Sequence, residues 1–377
     1  MRRFWLRLHR WLALALGLPL AVVALLGSSL VVLKPLDRWL NVELFSVPAG
    51  PAAPDLLERT RRQLQAEFGP GASLVLRPPR QAGESLRATV RGPWEGFVYL
   101  DTRDARELGR RGEHEGFFNL VFELHSSLLM NDAGKPLMAA LALAYLVLLI
   151  GGLVLWWPRR WRQAFALALD RGLLRGLFDL HRTGGAVLGL LIAVPVATGA
   201  YMAWKPLSQA VTSLSGQPAL APPKVPAVDL PPAALDALVA TAQAQFGGAP
   251  VGFVQVPAGN SKPVRVRLML PDDPHPNGLT SVWLHPLAGT VLRADRWNAL
   301  DPGARANSVI YPLHTGELGG LALETVNASL GLGLTALGVS GLWLWWLRRQ
   351  PAHRQPSRHA LRHARPRRGP GRTGAPG

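Results

Sequence analysis

Four apolar runs, about Trp11–Leu33, Pro136–Trp157, Gly184–Trp204 and Leu321–Leu347, constrain this 377-residue chain more than any other feature. Each reaches the roughly 20 residues that carry a helix across a hydrocarbon core of about 30 Å. In such a medium every backbone N–H and C=O must be satisfied within the segment, so the runs read as membrane helices. Long polar stretches separate the first run from the second and the third from the fourth; a short basic one joins the middle pair. The expected fold class is a membrane α-helical protein with four transmembrane helices that carry two small α+β domains outside the bilayer.

Charge gives the orientation. The formal net charge is +17, yet Lys34–Lys135 holds 14 basic and 14 acidic residues, and Lys205–Glu324 holds 8 of each. The whole excess lies in the N-terminus, the 158–182 loop and the C-terminal tail, with 4, 6 and 9 Arg against only Asp170 and Asp179. Cations that flank spans mark the cytoplasmic side, so both termini and the middle loop are expected inside and both large domains outside. A nucleic-acid binder would instead gather its cations on a folded face. The chain has no cysteine, which excludes disulfides, thiolate metal sites and covalently attached c-type haem. The opening MRRFWLRLHRW could begin a cleavable secretory signal; because its LHR recurs in mid-chain at Leu180–Arg182, the first span reads as retained.

The chain repeats itself. "LHRWLALALGLPLAVVALLGSSLVVLKP" aligns with "LHRTGGAVLGLLIAVPVATGAYMAWKP", which pairs His9 with His181. "FELH", ending at His125, aligns with "YPLH", ending at His314, and at the same offset "GGLVLWWPRR" aligns with "SGLWLWWLRR". Two span–domain–span units are therefore expected, related by a pseudo-two-fold axis along the membrane normal. The first outer domain reads as a helix near Pro54–Phe68 and strands at Ser73–Arg77, Leu86–Arg91, Gly96–Leu100 and Glu107–Arg110. The second reads as a helix near Pro232–Phe246 and strands at Val251–Val256, Val264–Leu270, Thr280–Leu284 and Thr290–Arg293. Each is one helix with a small antiparallel sheet. The boundaries are a first span over 1–35, an outer domain over 36–115, a pre-helix and second span over 116–160, and a loop and third span over 161–206. A second outer domain over 207–305, a pre-helix and fourth span over 306–350, and a disordered basic tail over 351–377 follow.

The repeat places His9 and His181 at the cytoplasmic ends of the first and third spans, and His125 and His314 on the outer side. Two imidazoles converging across a repeat axis form a bis-axial site for b-type haem, and ionisable residues at membrane depth are functional candidates. The competing reading of each is an interfacial histidine with its polar tip in water. Trp156, Trp157, Trp345 and Trp346 read as an aromatic belt. His114 and His285 read as surface residues of the outer domains, and Asp272, Asp273 and His275 as turn chemistry. Tyr99 and Trp283 read as packing. No phosphate-binding glycine loop follows a strand.

These motifs resemble the bacterial PepSY-associated transmembrane family: the LHR opening, the LH before a span ending in Gly-x-x-Leu-Trp-Trp, and outer PepSY domains. The resemblance covers about residues 1–350, although "DTRDARE" lacks the glycine that the second domain carries as Gly289. It implies an inner-membrane di-haem b oxidoreductase that reduces a ferric siderophore or other ferric chelate in iron uptake. The implied cofactors are two non-covalent haems b, with His9, His181, His125 and His314 as iron ligands. The implied electron donor is a quinol or a cytoplasmic reductase. A haem-free metal-chelate permease, or a PepSY-domain scaffold or regulator, is the alternative.

Overall fold

The computed structural model describes residues 1–158, 160–214 and 221–350, and the tail over 351–377 lies outside the described residues. The first half runs α1 (Arg2–Leu40), one-turn α2 (Val42–Phe45), α3 (Leu56–Phe68), β1 (Ser73–Arg77), β2 (Leu86–Arg91), β3 (Gly96–Leu100), β4 (Glu107–Gly112), α4 (Phe117–Ser127) and α5 (Asn131–Trp156). Short α6 (Trp161–Ala164) leads into α7 (Leu173–Ala203), α8 (Lys205–Leu214), α9 (Leu235–Ala244), β5 (Val251–Val256), β6 (Val264–Leu268), β7 (Thr280–Leu284) and β8 (Val291–Asp295). The described residues close with α10 (Pro302–Ser308), α11 (Ile310–Thr315) and α12 (Gly320–Arg349). Among the described residues α1, α5, α7 and α12 are the helices long and apolar enough to cross a membrane.

With 39 residues, α1 is about 58 Å long at 1.5 Å per residue, well beyond a hydrocarbon core. It runs through Lys34-Pro35 to Leu40, whereas its counterpart α7 stops at Ala203 and Lys205-Pro206 opens α8. The extension reaches the outer domain, where Asp37 accepts two hydrogen bonds from Arg111 of β4, at 2.9 and 3.0 Å.

The bundle is a ring in which α1 and α7 each pack against both α5 and α12. Leu20, Tyr145, Ile192 and Leu334, one from each spanning helix, form its buried centre. Between α1 and α12 the contact is made by small residues: a β-carbon on Gly338 would stand 2.9 Å from Ala21 Cβ and from Gly17 O. Close backbone approach of this kind drives helix association where lipid removes the hydrophobic incentive. Thr335 Oγ1 donates to Ala21 O at 3.1 Å across the same seam. On the opposite seam Tyr145 Oη donates to Gly189 O at 2.9 Å.

Outside the bundle all strands among the described residues join one eight-stranded antiparallel sheet in the order β4-β3-β2-β1-β5-β6-β7-β8. Sequence reading expects two small sheets; the structure fuses two four-stranded meanders through the β1–β5 pair, Leu74 opposite Val256 and Leu76 opposite Val254. Both are inner edges that would otherwise present unpaired backbone groups. One face of the sheet is apolar, with Leu74, Leu76, Val90, Val254, Val266 and Val282 fully buried under α3 and α9 in a single core. The missing glycine of "DTRDARE" does not alter the turn. Ala105 takes the left-handed φ of 62° where Gly289 has 72°, and its N–H donates to Asp101 O at 3.0 Å just as that of Gly289 donates to His285 O.

Candidate functional site

The four histidines singled out by the repeat meet as two pairs. His9 of α1 and His181 of α7 have ring centres 6.5 Å apart with planes at 81°. His125 of α4 and His314 of α11 have ring centres 6.2 Å apart with planes at 29°. Imidazoles on opposite sides of one metal ion, each bonded at about 2 Å, place their ring centres about 6 Å apart.

Each ring rests on a glycine of a neighbouring helix. A β-carbon on Gly27 would stand 2.5 Å from His125 Cε1, one on Gly199 3.0 Å from His314 Cε1, one on Gly341 3.1 Å from His181 Cε1, and one on Gly152 3.5 Å from His9 Cε1. The glycine opens the helix surface, and the ring then reaches the carbonyl four residues earlier, on the same face. His125 Nδ1–H donates to Val23 O at 2.9 Å, His314 Nδ1–H to Pro195 O at 2.8 Å and His9 Nδ1–H to Leu148 O at 3.1 Å. His181 makes the same connection through a relay: Nδ1–H donates to Ser340 Oγ at 3.0 Å, and that hydroxyl donates to Leu337 O at 3.1 Å. These carbonyls accept a second bond beside their helical one, as two lone pairs allow.

The consequence is chemical. With Nδ1 committed as donor, each imidazole is held as the tautomer whose Nε2 lone pair is available. Among the described residues Nε2 has no hydrogen-bond partner on any of the four. A donor bond from the second ring nitrogen is the usual way a protein orients a metal-binding histidine and raises its basicity. Among the described residues no group of three or more His, Asp and Glu is placed to hold a bare ion. Two imidazoles with free Nε2 atoms are the protein ligands that a bis-histidine haem requires.

The pairs stand at two depths. Along α1, 18 residues separate His9 from Gly27, the seat of His125, or about 27 Å of helix. The same spacing on α7 separates His181 from Gly199, the seat of His314. That distance is close to the thickness of a hydrocarbon core, and the apolar centre at Leu20 and Ile192 lies between the two levels.

The remaining expectations divide. Asp273 is a turn residue, accepting N–H bonds from Leu270, Leu279 and Thr280. His285 is not a surface residue; at 2 % exposed it is buried, because its Nδ1 accepts from Leu287 N and Ala288 N in the β7–β8 turn while Nε2 donates to Pro226 O at 2.8 Å. Asp101 does the same work in the first meander, accepting from Arg103 N at 2.9 Å. Tyr99 and Trp283 are buried as packing residues, and Trp283 Nε1 donates to Asp295 at 2.9 Å. Sequence reading misses the glycine seats and their carbonyls. Their signal is positional: Gly27 and Gly199 follow their LHR motifs at equal distance, and Gly152 and Gly341 coincide in the Leu-Trp-Trp motifs.

A family described as the PepSY-associated TM region matches residues 6–348. The chain is also 29% identical over 269 residues to an uncharacterized protein of Pseudomonas aeruginosa, covering 62% of this chain and 64% of the relative. With helices, motifs and family match spanning the same residues, the chain belongs to the PepSY-associated transmembrane family.

Proposed function

We propose that this protein is a di-haem b oxidoreductase of the bacterial inner membrane that passes electrons outward to a ferric chelate, a ferric-siderophore reductase in iron uptake. The observation that carries the reading is the pair of glycine-seated histidine sites, each with two Nε2 lone pairs left free. His9 with His181 would hold the inner haem and His125 with His314 the outer one. Such a group supplies, when bound, one-electron iron redox chemistry at each face of the bilayer.

The chain's own residues do the rest. The carbonyls of Val23, Pro195 and Leu148, and Ser340, fix ring orientation through Nδ1 and make the imidazoles stronger donors, a lever on the potential of whatever iron they hold. Both termini are read as cytoplasmic and the sheet as periplasmic, a reading supported by the arginine excess that flanks the spans. The two halves are read as copies of one span–domain–span unit with PepSY-like outer domains. Each ferric centre takes up one electron, so a quinol that gives two electrons and releases two protons serves two chelates. Hard oxygen ligands hold iron(II) less firmly than iron(III), and reduction releases the metal.

The test is a dithionite-reduced minus oxidised spectrum with a pyridine-haemochrome count on the purified protein. About two b-type haems per chain are expected, falling to one in His125→Ala, His314→Ala, His9→Ala and His181→Ala alike. A protein expressed with ample haem that carries none overturns the reading.

A further inference from the structure

The sheet has a second face, and it is cationic. On the side opposite the α3–α9 core, Arg87 of β2 stands directly across from Arg77 of β1, and Arg267 of β6 stands across from Phe253 of β5. Arg77 lies over the Phe253 ring at 5.8 Å and Arg267 reaches the same ring at 5.6 Å. Tyr99 pairs with Arg87 and Ser281 with Arg267, so one row across the sheet reads Tyr99, Arg87, Arg77, Phe253, Arg267, Ser281.

Like charges directly opposed on a sheet are destabilising, and proteins ordinarily relieve them with carboxylates. Here, among the described residues, none of the three arginines forms an ion pair or donates a hydrogen bond. Nε of Arg77 and of Arg267 is shielded from solvent without a partner. Many other arginines of the outer domains differ: Arg61, Arg103, Arg110, Arg111 and Arg293 are paired with carboxylates, and Arg265, beside Arg267 on β6, donates to Ser281 Oγ at 2.8 Å. Burial pulls Arg77 and Arg267 down to about 10, their like-charged neighbours adding to the effect. A bound anion reverses that strain. From the bundle side the Glu317 carboxylate acts on Arg77, with the Tyr311 phenol nearby; the two residues flank His314 on either side along the chain.

We infer that the Arg87–Arg77–Arg267 row is the binding face for an anionic ferric chelate, presented above the outer histidine pair. The identity of the cargo as chelated iron(III) rests on the reductase reading. Neighbouring strands lie about 4.8 Å apart, so the row spans about 14 Å. That suits a ligand with two or more separated carboxylates or phenolates, each matched by the planar fork of a guanidinium. The Phe253 ring supplies an apolar floor between them. A cationic chelate would meet three guanidinium groups here, against only the Glu317 and Asp273 carboxylates that act on Arg77 and Arg267.

The test is calorimetric binding of gallium(III) citrate, a redox-inert anionic probe, to the full-length protein in zwitterionic nanodiscs. The comparator is the gallium complex of a trihydroxamate with a free amine, which is cationic. The citrate complex is expected to bind at least about tenfold more tightly than the comparator, and R77Q/R267Q to weaken it by about tenfold or more, as loss of charged hydrogen-bond donors predicts. R77K/R267K, which keeps both charges, should retain most of the binding, and its behaviour reports on the row even if R77Q/R267Q fails to fold. Equal affinity for the two complexes, or binding unchanged in R77Q/R267Q, overturns the inference. So does binding that vanishes when phosphatidylglycerol is added to the nanodiscs, since the row would then be a lipid-headgroup site. A haem-free preparation that still prefers the citrate complex overturns the reductase reading and keeps the anion site; two haems with no such preference do the reverse.

Discussion

The imidazole of His125 occupies the space that a side chain on Gly27 would fill, with Cε1 2.5 Å from the position of that missing β-carbon. Ordinary carbon contacts fall at about 3.5–4.0 Å, so Gly27→Ala must displace the ring and break its bond to Val23 O. At Gly152 the same distance to His9 is 3.5 Å, and alanine fits. Gly27→Ala is therefore expected to lose the outer haem signal and to cost about 1–3 kcal/mol in overpacking. Gly152→Ala should keep the inner one. Haem counts on the two variants check this; equal retention in both would show that the His125 ring does not depend on its glycine seat.

Glu58 and Asp236 hold the two outer units together. The Glu58 carboxylate accepts from Leu235 N at 2.9 Å, while Asp236 accepts from Glu58 N at 2.9 Å and Leu57 N at 3.2 Å. The N-terminal turns of α3 and α9 thus cap each other, each carboxylate taking amides that have no partner within their own helix. Asp236→Ala should cost about 1–2 kcal/mol, the usual worth of a cap. The Glu58→Ala/Asp236→Ala double variant should cost less than the two singles added together, since they share one arrangement. Faster hydrogen exchange at the amides of residues 57–58 and 235 is the local readout.

Ala105 carries a strain that Gly289 does not. For an L-residue the left-handed conformation costs about 1–2 kcal/mol, part of which returns as lower chain entropy in the unfolded state. Ala105→Gly is expected to raise outer-domain stability by about 0.5–1 kcal/mol, visible as a higher denaturation midpoint with an unchanged slope. A lower midpoint would show that the turn gains nothing from glycine.

His275 makes the outer domain sensitive to acid. Burial pushes its imidazole down to about 4, with Arg267, Arg80 and Arg77 acting in the same direction and Glu317 opposing them. The folded state holds the ring neutral, its Nδ1 accepting from Asn277 N at 2.7 Å, while the unfolded chain takes up the proton near pH 6.5. The unfolded state therefore binds more protons between these values. Stability is full above about pH 6.5 and falls as pH drops toward 4. The melting temperature should decline between pH 7 and pH 5 in the parent protein and decline less in His275→Asn, which keeps an acceptor for Asn277 but does not titrate.

The sequence by itself determined the four spans, the strand positions and the identity of the paired histidines. These are local or repeated properties: apolar length against bilayer thickness, two-residue alternation in the strands, and equal spacing of LHR and LH motifs. The alternation of Arg77, Arg87 and Arg267 with leucine, alanine and valine is likewise local, but nothing local sets the three side by side. The tertiary structure alone decided what those residues face. Fusion of two meanders into one sheet depends on β1 meeting β5, a pairing between strands some 180 residues apart that no window of sequence reports. The histidine seats depend on which glycine lies across a helix–helix contact, and the row becomes a row only once β6 is added beyond β5. His285 read as a surface residue because a polar side chain between a strand and a turn usually is one; only the folded turn, with two amides aimed at Nδ1, gives it reason to be buried.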